Sequence, residues 1–568
     1  LGARYKNTKY ILGGLETQGS YQPNFTDVQG LLTYNISPRF EISALGYYSR
    51  NSYIMIPETR QTDFGNIQES YRLTIYFDGK EVSNYNTMLG AVTLNFSPNK
   101  NINLKLIGSA YSAIESESYD IQGQYWIGQL ETNMGSEQAG NVISNQGIGT
   151  YIEHARNFFY STVVNIDHQG AYKYGEHILK WGVRFQHQYF DDQIKEWEMV
   201  DSAGYSLPHP IDSIGSSNPN QTPLEFLSTS TGHNLLSINN IDGYVQNAWT
   251  FYGKKDDIFV LTAGIRANLW GYNNEFNVSP RIGFAYKPKS IKNMTFRLSG
   301  GVYVQSPFYR ELRMFDGSLV KPQDASTQKS YQIVLGHEYN FQAWDRPFVL
   351  TSELYYKYLK DIIPYEVDNI KIRYYADQRA TGYATGIDFK LNGEFVKGIE
   401  SWASLSFMKT AENIKYYIDS KGNIISQSDI NNGASFVSDT IIKNIPRPSD
   451  QRVNFAIFFQ DYIPFIPSFK VNLKLIFGTG LPFGPPYSER YQQIKRMTPY
   501  RRVDIGFSKQ LIGENTSFNR KNPLSYIKNC WISLEVFNLL GVNNVNSYMW
   551  VTDVYNIQYA VPNYLTPR

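Results

Sequence analysis

Residues 101–112, NINLKLIGSAYS, alternate in character. Ile102, Leu104 and Leu106 fall on one side of an extended chain, and Asn101, Asn103 and Lys105 on the other. Side chains of a strand point to opposite faces in turn, so the pattern predicts a strand with one apolar and one polar face. The apolar face has two possible destinations. In a soluble sandwich it enters a dry core. In a membrane barrel it meets lipid, and the polar face lines a wet lumen.

The same period recurs along the chain, and helical periodicity is scarce. FTDVQGLLTYNIS (25–37) runs straight into PRFEISALGYYSR (38–50), and TMLGAVTLNFS (87–97) turns through 98–100 into the stretch above. IDGYVQNAWTFYG (241–253), VSPRIGFAYKP (278–288), NMTFRLSGGVYVQS (293–306), QRVNFAIFFQDY and CWISLEVFNLL read the same way. Within TFRLSGGVYV the alternation puts Phe296, Leu298, Val302 and Val304 on the apolar side and Arg297 and Ser299 on the polar side. Such segments number about 19, and no long helical crossovers separate them, so the predicted sheet is antiparallel.

The connections are asymmetric. One set is short: Ser37-Pro38, 97–100, 253–256, Lys397-Gly398 and 462–467. The other is long and polar: 51–83, 113–150, 201–235, 306–325, 413–449 and 542–567. Short turns at one end and long loops at the other are the habit of outer-membrane barrels, and a sandwich has no cause to keep that parity. Phe96, Trp249, Phe251, Tyr252, Tyr286, Tyr339, Phe395 and Phe459 lie just before short turns. A membrane interface favours amphipathic rings at that level. The fold class predicted is therefore all-β: a large antiparallel transmembrane β-barrel in the outer membrane, with its apolar face toward lipid.

Composition agrees with that choice once it is made. The 568 residues have a mean hydropathy of −0.39 and 15% aromatics, with 45 Tyr and 33 Phe. No run of about 18 apolar residues could form a transmembrane helix. A barrel needs only every second residue apolar, so its average hydropathy stays low. A net charge of +2 without a basic cluster argues against nucleic acid as a partner. The one cysteine, Cys530, excludes an intramolecular disulfide.

Catalytic chemistry is absent from the pattern. The seven His, at 154, 168, 177, 187, 209, 233 and 337, form no metal-ligand motif, and no cofactor is expected. Gly147-Ile148-Gly149 lacks the third glycine of a dinucleotide loop. There is no nucleophile elbow and no phosphate loop, so the chain does not read as an enzyme. Binding candidates come from the long loops, whose exposed aromatic and Arg residues are the types that recognition surfaces favour. They are Tyr125 and Trp126 in 119–131, then Tyr309, Arg310, Arg313 and Phe315 in 306–319, and Phe483, Tyr487 and Tyr491 in 480–492. The same side chains could instead pack the loops together and close the mouth.

NVSPRIGFAYKP, TFRLSGGVYVQSPFYREL and STQKSYQIVLGHEY resemble the mid-barrel of TonB-dependent outer-membrane receptors, especially those of Bacteroidetes. The tail from LEVFNLLGVNNVNSYMWVTD to QYAVPNYLTPR is similar to the end of such barrels. The resemblance implies a 22-stranded barrel around a plug. On that basis residues 1–568 are one barrel portion lacking two first strands, one last strand and the plug. It further implies uptake of a ligand too large for porins, gated by the plug and energised through the TonB complex by way of the missing N-terminal region. A surface lipoprotein partner is a family analogy. The alternative is a passive outer-membrane pore or a secretion channel. Ligand identity, whether glycan, peptide or siderophore, is not legible.

Overall fold

A computed structural model describes residues 1–7, 19–66, 68–202, 226–253, 257–291, 293–369, 371–396, 398–431, 433–463, 466–486, 488–513, 516, 522–553 and 557–564. Its main feature is one continuous antiparallel ladder of about 19 long strands, each paired with the next in sequence. The first seven are β1 (Gly2–Asn7), β2 (Asn24–Ser37), β3 (Phe40–Pro57), β4 (Ser70–Asn99), β5 (Ile102–Leu130), β6 (Val142–Tyr174) and β7 (His177–Ser202). Then come β8 (Ser228–Tyr252), β9 (Ile258–Trp270), β10 (Glu275–Lys287), β11 (Met294–Gln305), β12 (Gln328–Ala343) and β13 (Arg346–Ile362). The series ends with β14 (Ala380–Val396), β15 (Ile399–Ile418), β16 (Val453–Ile463), β17 (Ile466–Gly478), β18 (Tyr500–Ile512) and β19 (Cys530–Val536).

Register shows why the sequence alternates. Phe284, Leu298, Leu335, Leu354, Ile387 and Phe407 pair in turn across β10 to β15, forming one row. Five of the six are exposed, Leu335 and Leu354 by 51% each, and Ile387 is half-buried. One position along, the row reads Ala285, Arg297, Gly336, Glu353, Asp388 and Ser406. Successive residues of a strand take opposite faces, so these polar groups point into the lumen. There Arg297 meets Glu338 at 2.9 Å, and Arg184 and Arg266 flank Asp242. An apolar exterior and a charged interior are the inverse of a soluble protein.

The aromatic expectation is also visible in the geometry. Phe259, Tyr286, Phe296, His337, Tyr339, Phe341, Phe348, Phe395 and Phe459 form an unbroken chain of ring contacts, with centroids 4.7–6.5 Å apart. This belt runs along the short-turn rim from β9 to β16. Between β12 and β13 the turn is Trp344-Asp345, both at positive φ, the two-residue geometry whose twist matches paired strands.

Two of the expected long loops, 51–83 and 113–150, are largely strand. Residues 70–83, 117–130 and 142–155 continue β4, β5 and β6, which span 30, 29 and 33 residues. A lipid-crossing strand needs only about 9–11. The extension stands clear of the lipid-facing band, and its polarity is reversed. The lumen-side positions Leu73, Ile75, Tyr125 and Ile127 are buried there, packed with Val551 and Val561 of the hairpin Val545–Thr552/Gln558–Tyr564. The alternation persisted in the sequence, but its apolar face had changed sides, which made these stretches look like polar loops. Gly147 and Gly149 belong to this wall. The Tyr125 ring fills the place where a Gly149 side chain would sit, 2.4 Å from the ideal Cβ.

Candidate functional site: the mouth of the barrel

At the long-loop end, the lumen-side positions of four neighbouring strands are acidic. They are Glu81 on β4, Glu115 and Glu117 on β5, Glu153 on β6, and Asp192, Glu196 and Glu198 on β7, placed on one face by the register. Asn157 donates to both Glu117 and Glu196, bridging them. Glu153 and Glu198 are direct cross-strand partners. Like charges so placed repel.

Burial, then Glu198, push the Glu153 carboxyl up to about 7. A carboxyl raised in the fold adds stability below its ordinary range and loses it as pH rises through the raised value. The wall therefore weakens between about pH 5 and pH 8, by on the order of 1–3 kcal/mol. Thermal unfolding in detergent at the two pH values checks this. Glu153→Gln should shrink the gap, and an unchanged gap would assign the dependence elsewhere.

Loops from distant strands bring cations and rings onto this wall. In the β11–β12 loop, Arg310 reaches Glu115 at 2.7 Å. Tyr309 donates to Asp192 at 2.9 Å, and Arg313 stands 3.2 Å from the same carboxylate. Asp192 is almost wholly buried, so these bonds offset its desolvation. The Tyr309 ring stacks on Phe190 and packs at a tilt against Phe159, anchoring the short 3₁₀ turn Tyr309–Leu312. From the β13–β14 loop, the hairpin Tyr365–Asp368/Lys371–Tyr374 sends Lys371 to the Tyr119 hydroxyl of β5, at 2.5 Å. Opposite walls are thus tied across the mouth.

The sequence candidates separate on this geometry. Tyr309, Arg310 and Arg313 converge on the acidic wall. Tyr125 is buried in the packing of the extended strands, and Phe483 is buried in a stack with Tyr548 at 4.3 Å. Trp126 faces the outside of the wall, edge-on to Tyr76 at 5.0 Å. Phe315 packs against Tyr375 and Tyr491 against Tyr416. Tyr487 lies outside the described residues. Sequence reading missed Lys371, Asp192 and the carboxylates. A signal existed for the last: IESESYD and KEWEMVD each carry two glutamates two residues apart, hence on one strand face. Among the described residues, no group of three or more His, Cys, Asp or Glu is arranged to hold a metal ion.

Among curated proteins compared by sequence, none matches the chain. Two solved structures share the fold. One is the ferric-catecholate import receptor Fiu from Escherichia coli K12, at 10% identity and a TM-score of 0.51, covering 99% of this chain and 79% of that one. The other is the siderophore receptor PiuA from Acinetobacter baumannii, at 12% identity and 0.50, with the same coverage. Residues 15–544 match the family model described as TonB dependent receptor-like, beta-barrel. With the lipid-facing exterior, the charged lumen and a mouth crossed by its own loops, this match makes the chain a member of the TonB-dependent receptor β-barrel family, a transport protein of the outer membrane and not an enzyme.

Proposed function

We propose that the protein is a gated importer. It takes up a ligand too large for porins, holds it at the extracellular mouth, and passes it inward when TonB acts on a plug inside the lumen. One observation carries this over the passive-pore reading: loops on distant strands are bonded across the mouth, through Arg310 to Glu115, Tyr309 to Asp192 and Lys371 to Tyr119. A passive pore gains nothing from bonds that obstruct its entrance. In this reading Arg310 and Arg313 line the entrance where ligand first makes contact, with Trp126 on the outer flank. Tyr125 and Phe483 hold the loops that shape it.

The native protein, purified from outer membranes, tests the proposal in planar bilayers. A gated importer gives no steady current at low voltage. A stable ohmic conductance from the intact protein would favour the pore. Crosslinking to TonB in energised cells, lost on adding a protonophore, is the second expected result.

A further inference from the structure

The lipid face of β2 to β5 has a hollow in it. Gly30, Gly46, Gly90 and Ala110 pair in turn across these strands and form one row. They share the face of Ile42, Leu94 and Leu106, which is the face toward lipid. Glycine is disfavoured in strands, and where it recurs it marks a bulge or the close approach of another group. No bulge interrupts this row, since the register runs through it unbroken. A Cβ built on Gly46 or Gly90 would meet nothing within 4 Å. The next row toward the extracellular side reads Tyr48, Met88, Ser112 and Thr162, and these side chains wall a hollow of about 660 Å³.

Polarity rises with height above the hollow. Thr162 donates to the Tyr160 hydroxyl at 2.7 Å, and Ser112 is the cross-strand partner of Thr162, so three hydroxyls stand together at the rim. One row higher on the same face, Arg50 and Asn86 are direct cross-strand partners. Arg50 is exposed, and among the described residues neither side chain has a hydrogen bond or an ion pair. Arg50 is ten residues beyond Phe40, which sits at the short-turn rim of β3. At about 3.3 Å per residue and a tilt of about 40°, that is about 25 Å, the height of the apolar band of an outer-membrane barrel. Arg50 thus stands at the extracellular edge of the hydrocarbon, the level of lipid phosphates. Gly46 lies about 10 Å lower, among the acyl chains.

We propose that this face holds one molecule of the phosphorylated glycolipid of the outer leaflet. One acyl chain lies in the hollow over Gly46 and Gly90. The hydroxyls of Ser112, Thr162 and Tyr160 meet the oxygens where the chains join the head group. Arg50, with Asn86 beside it, binds a phosphate, the anion that a guanidinium fork suits best. Bulk hydrocarbon would fill the hollow alone, but the order of chain, hydroxyl and cation along the membrane normal is the order within one amphiphile. The hollow lies in the extracellular half of the band, which assigns its occupant to the outer leaflet. The site stands apart from the mouth and is the same for an importer or a pore.

The test takes the full-length protein, stripped of lipid by detergent exchange and titrated with diphosphorylated lipid A, and counts retained lipid by native mass spectrometry. One molecule per chain is expected. Gly90→Phe, which fills the hollow, and separately Arg50→Gln should each weaken retention about tenfold, the loss of one charge-assisted contact or its equivalent. Both variants should keep the folded mobility of the unheated protein on a gel. Arg50→Gln alters an exposed side chain, so it tests the site even where Gly90→Phe does not fold. Lipid A without phosphates should bind the parent as weakly as lipid A binds Arg50→Gln. Retention unchanged by both substitutions would overturn the site. Equal retention of phosphatidylglycerol would overturn the glycolipid in favour of a phospholipid. A dimer that Gly90→Phe splits, with lipid retention unaltered, would give the hollow to a second copy of the chain instead.

Discussion

Replacing Leu335 with arginine destabilises the barrel by about 2–4 kcal/mol, the cost of a cation on the lipid face near mid-membrane. Arginine in place of Ser299, on the lumen side of neighbouring β11, costs far less. The contrast follows from the register. Leu335 sits in the exposed apolar row between Leu298 and Leu354. Ser299 pairs with Val334 and Gly283, on the face that carries Arg297, Glu353 and Asp388. Equilibrium unfolding of the protein refolded into lipid vesicles measures both. Equal losses would mean that the two faces do not differ in solvent, and the lipid assignment would fall.

Glu412→Gln is the second large effect, about 3–5 kcal/mol, the usual consequence of removing one partner from a buried ion pair. Glu412 is wholly buried near the top of β15. It lies 2.9 Å from the Arg490 guanidinium, also wholly buried, and 3.3 Å from Arg447. The amide takes away the carboxylate that faces both guanidinium groups, leaving Arg490 charged in a site closed to water and Arg447 beside it. The arginines lie in different loops, and Arg490 also donates to the Pro446 carbonyl. Their release should loosen the chain around Lys421 and Lys443, which are already at the surface, so that trypsin cuts there before the barrel itself yields. Guanidinium titration gives the magnitude and limited proteolysis gives the place. A Glu412→Gln protein with a wild-type midpoint and cleavage pattern would show that the trio is not what joins these loops.

Much of the architecture was legible because a two-residue period survives in the sequence wherever one face meets lipid and the other water. That is why the strand count, the antiparallel order and the facing of residues such as Leu298 and Arg297 could be read directly. The reading weakened where the two environments changed places. At Leu73 and Tyr125 the lumen-side face becomes the apolar one, because another hairpin covers it, and a test for outward apolar residues misses this. The site was less legible still. Tyr309 and Arg313 were named for their residue types. Their partner Asp192 lies more than a hundred residues earlier, and only the register of β7 turns it toward them. Lys371 gave no local signal, since its role comes from reaching a strand far along the ladder.

The strands do not end at one height. β4 to β8 run for 25–33 residues, whereas β9, β10 and β11 have 12 or 13. At about 3.3 Å per residue and a tilt of about 40°, the short staves end roughly level with the bilayer and the tall ones rise tens of ångströms above it. The rim is therefore a parapet on one side and a sill on the other. Solutes drifting along the cell surface meet continuous strand on the β4–β8 side and the loops after β11, β13, β15 and β17 beyond the short staves. The sugar chains of the outer leaflet, which would bury the sill, reach only partway up the parapet. Which neighbours stand on the low side thus governs access as much as anything inside the barrel.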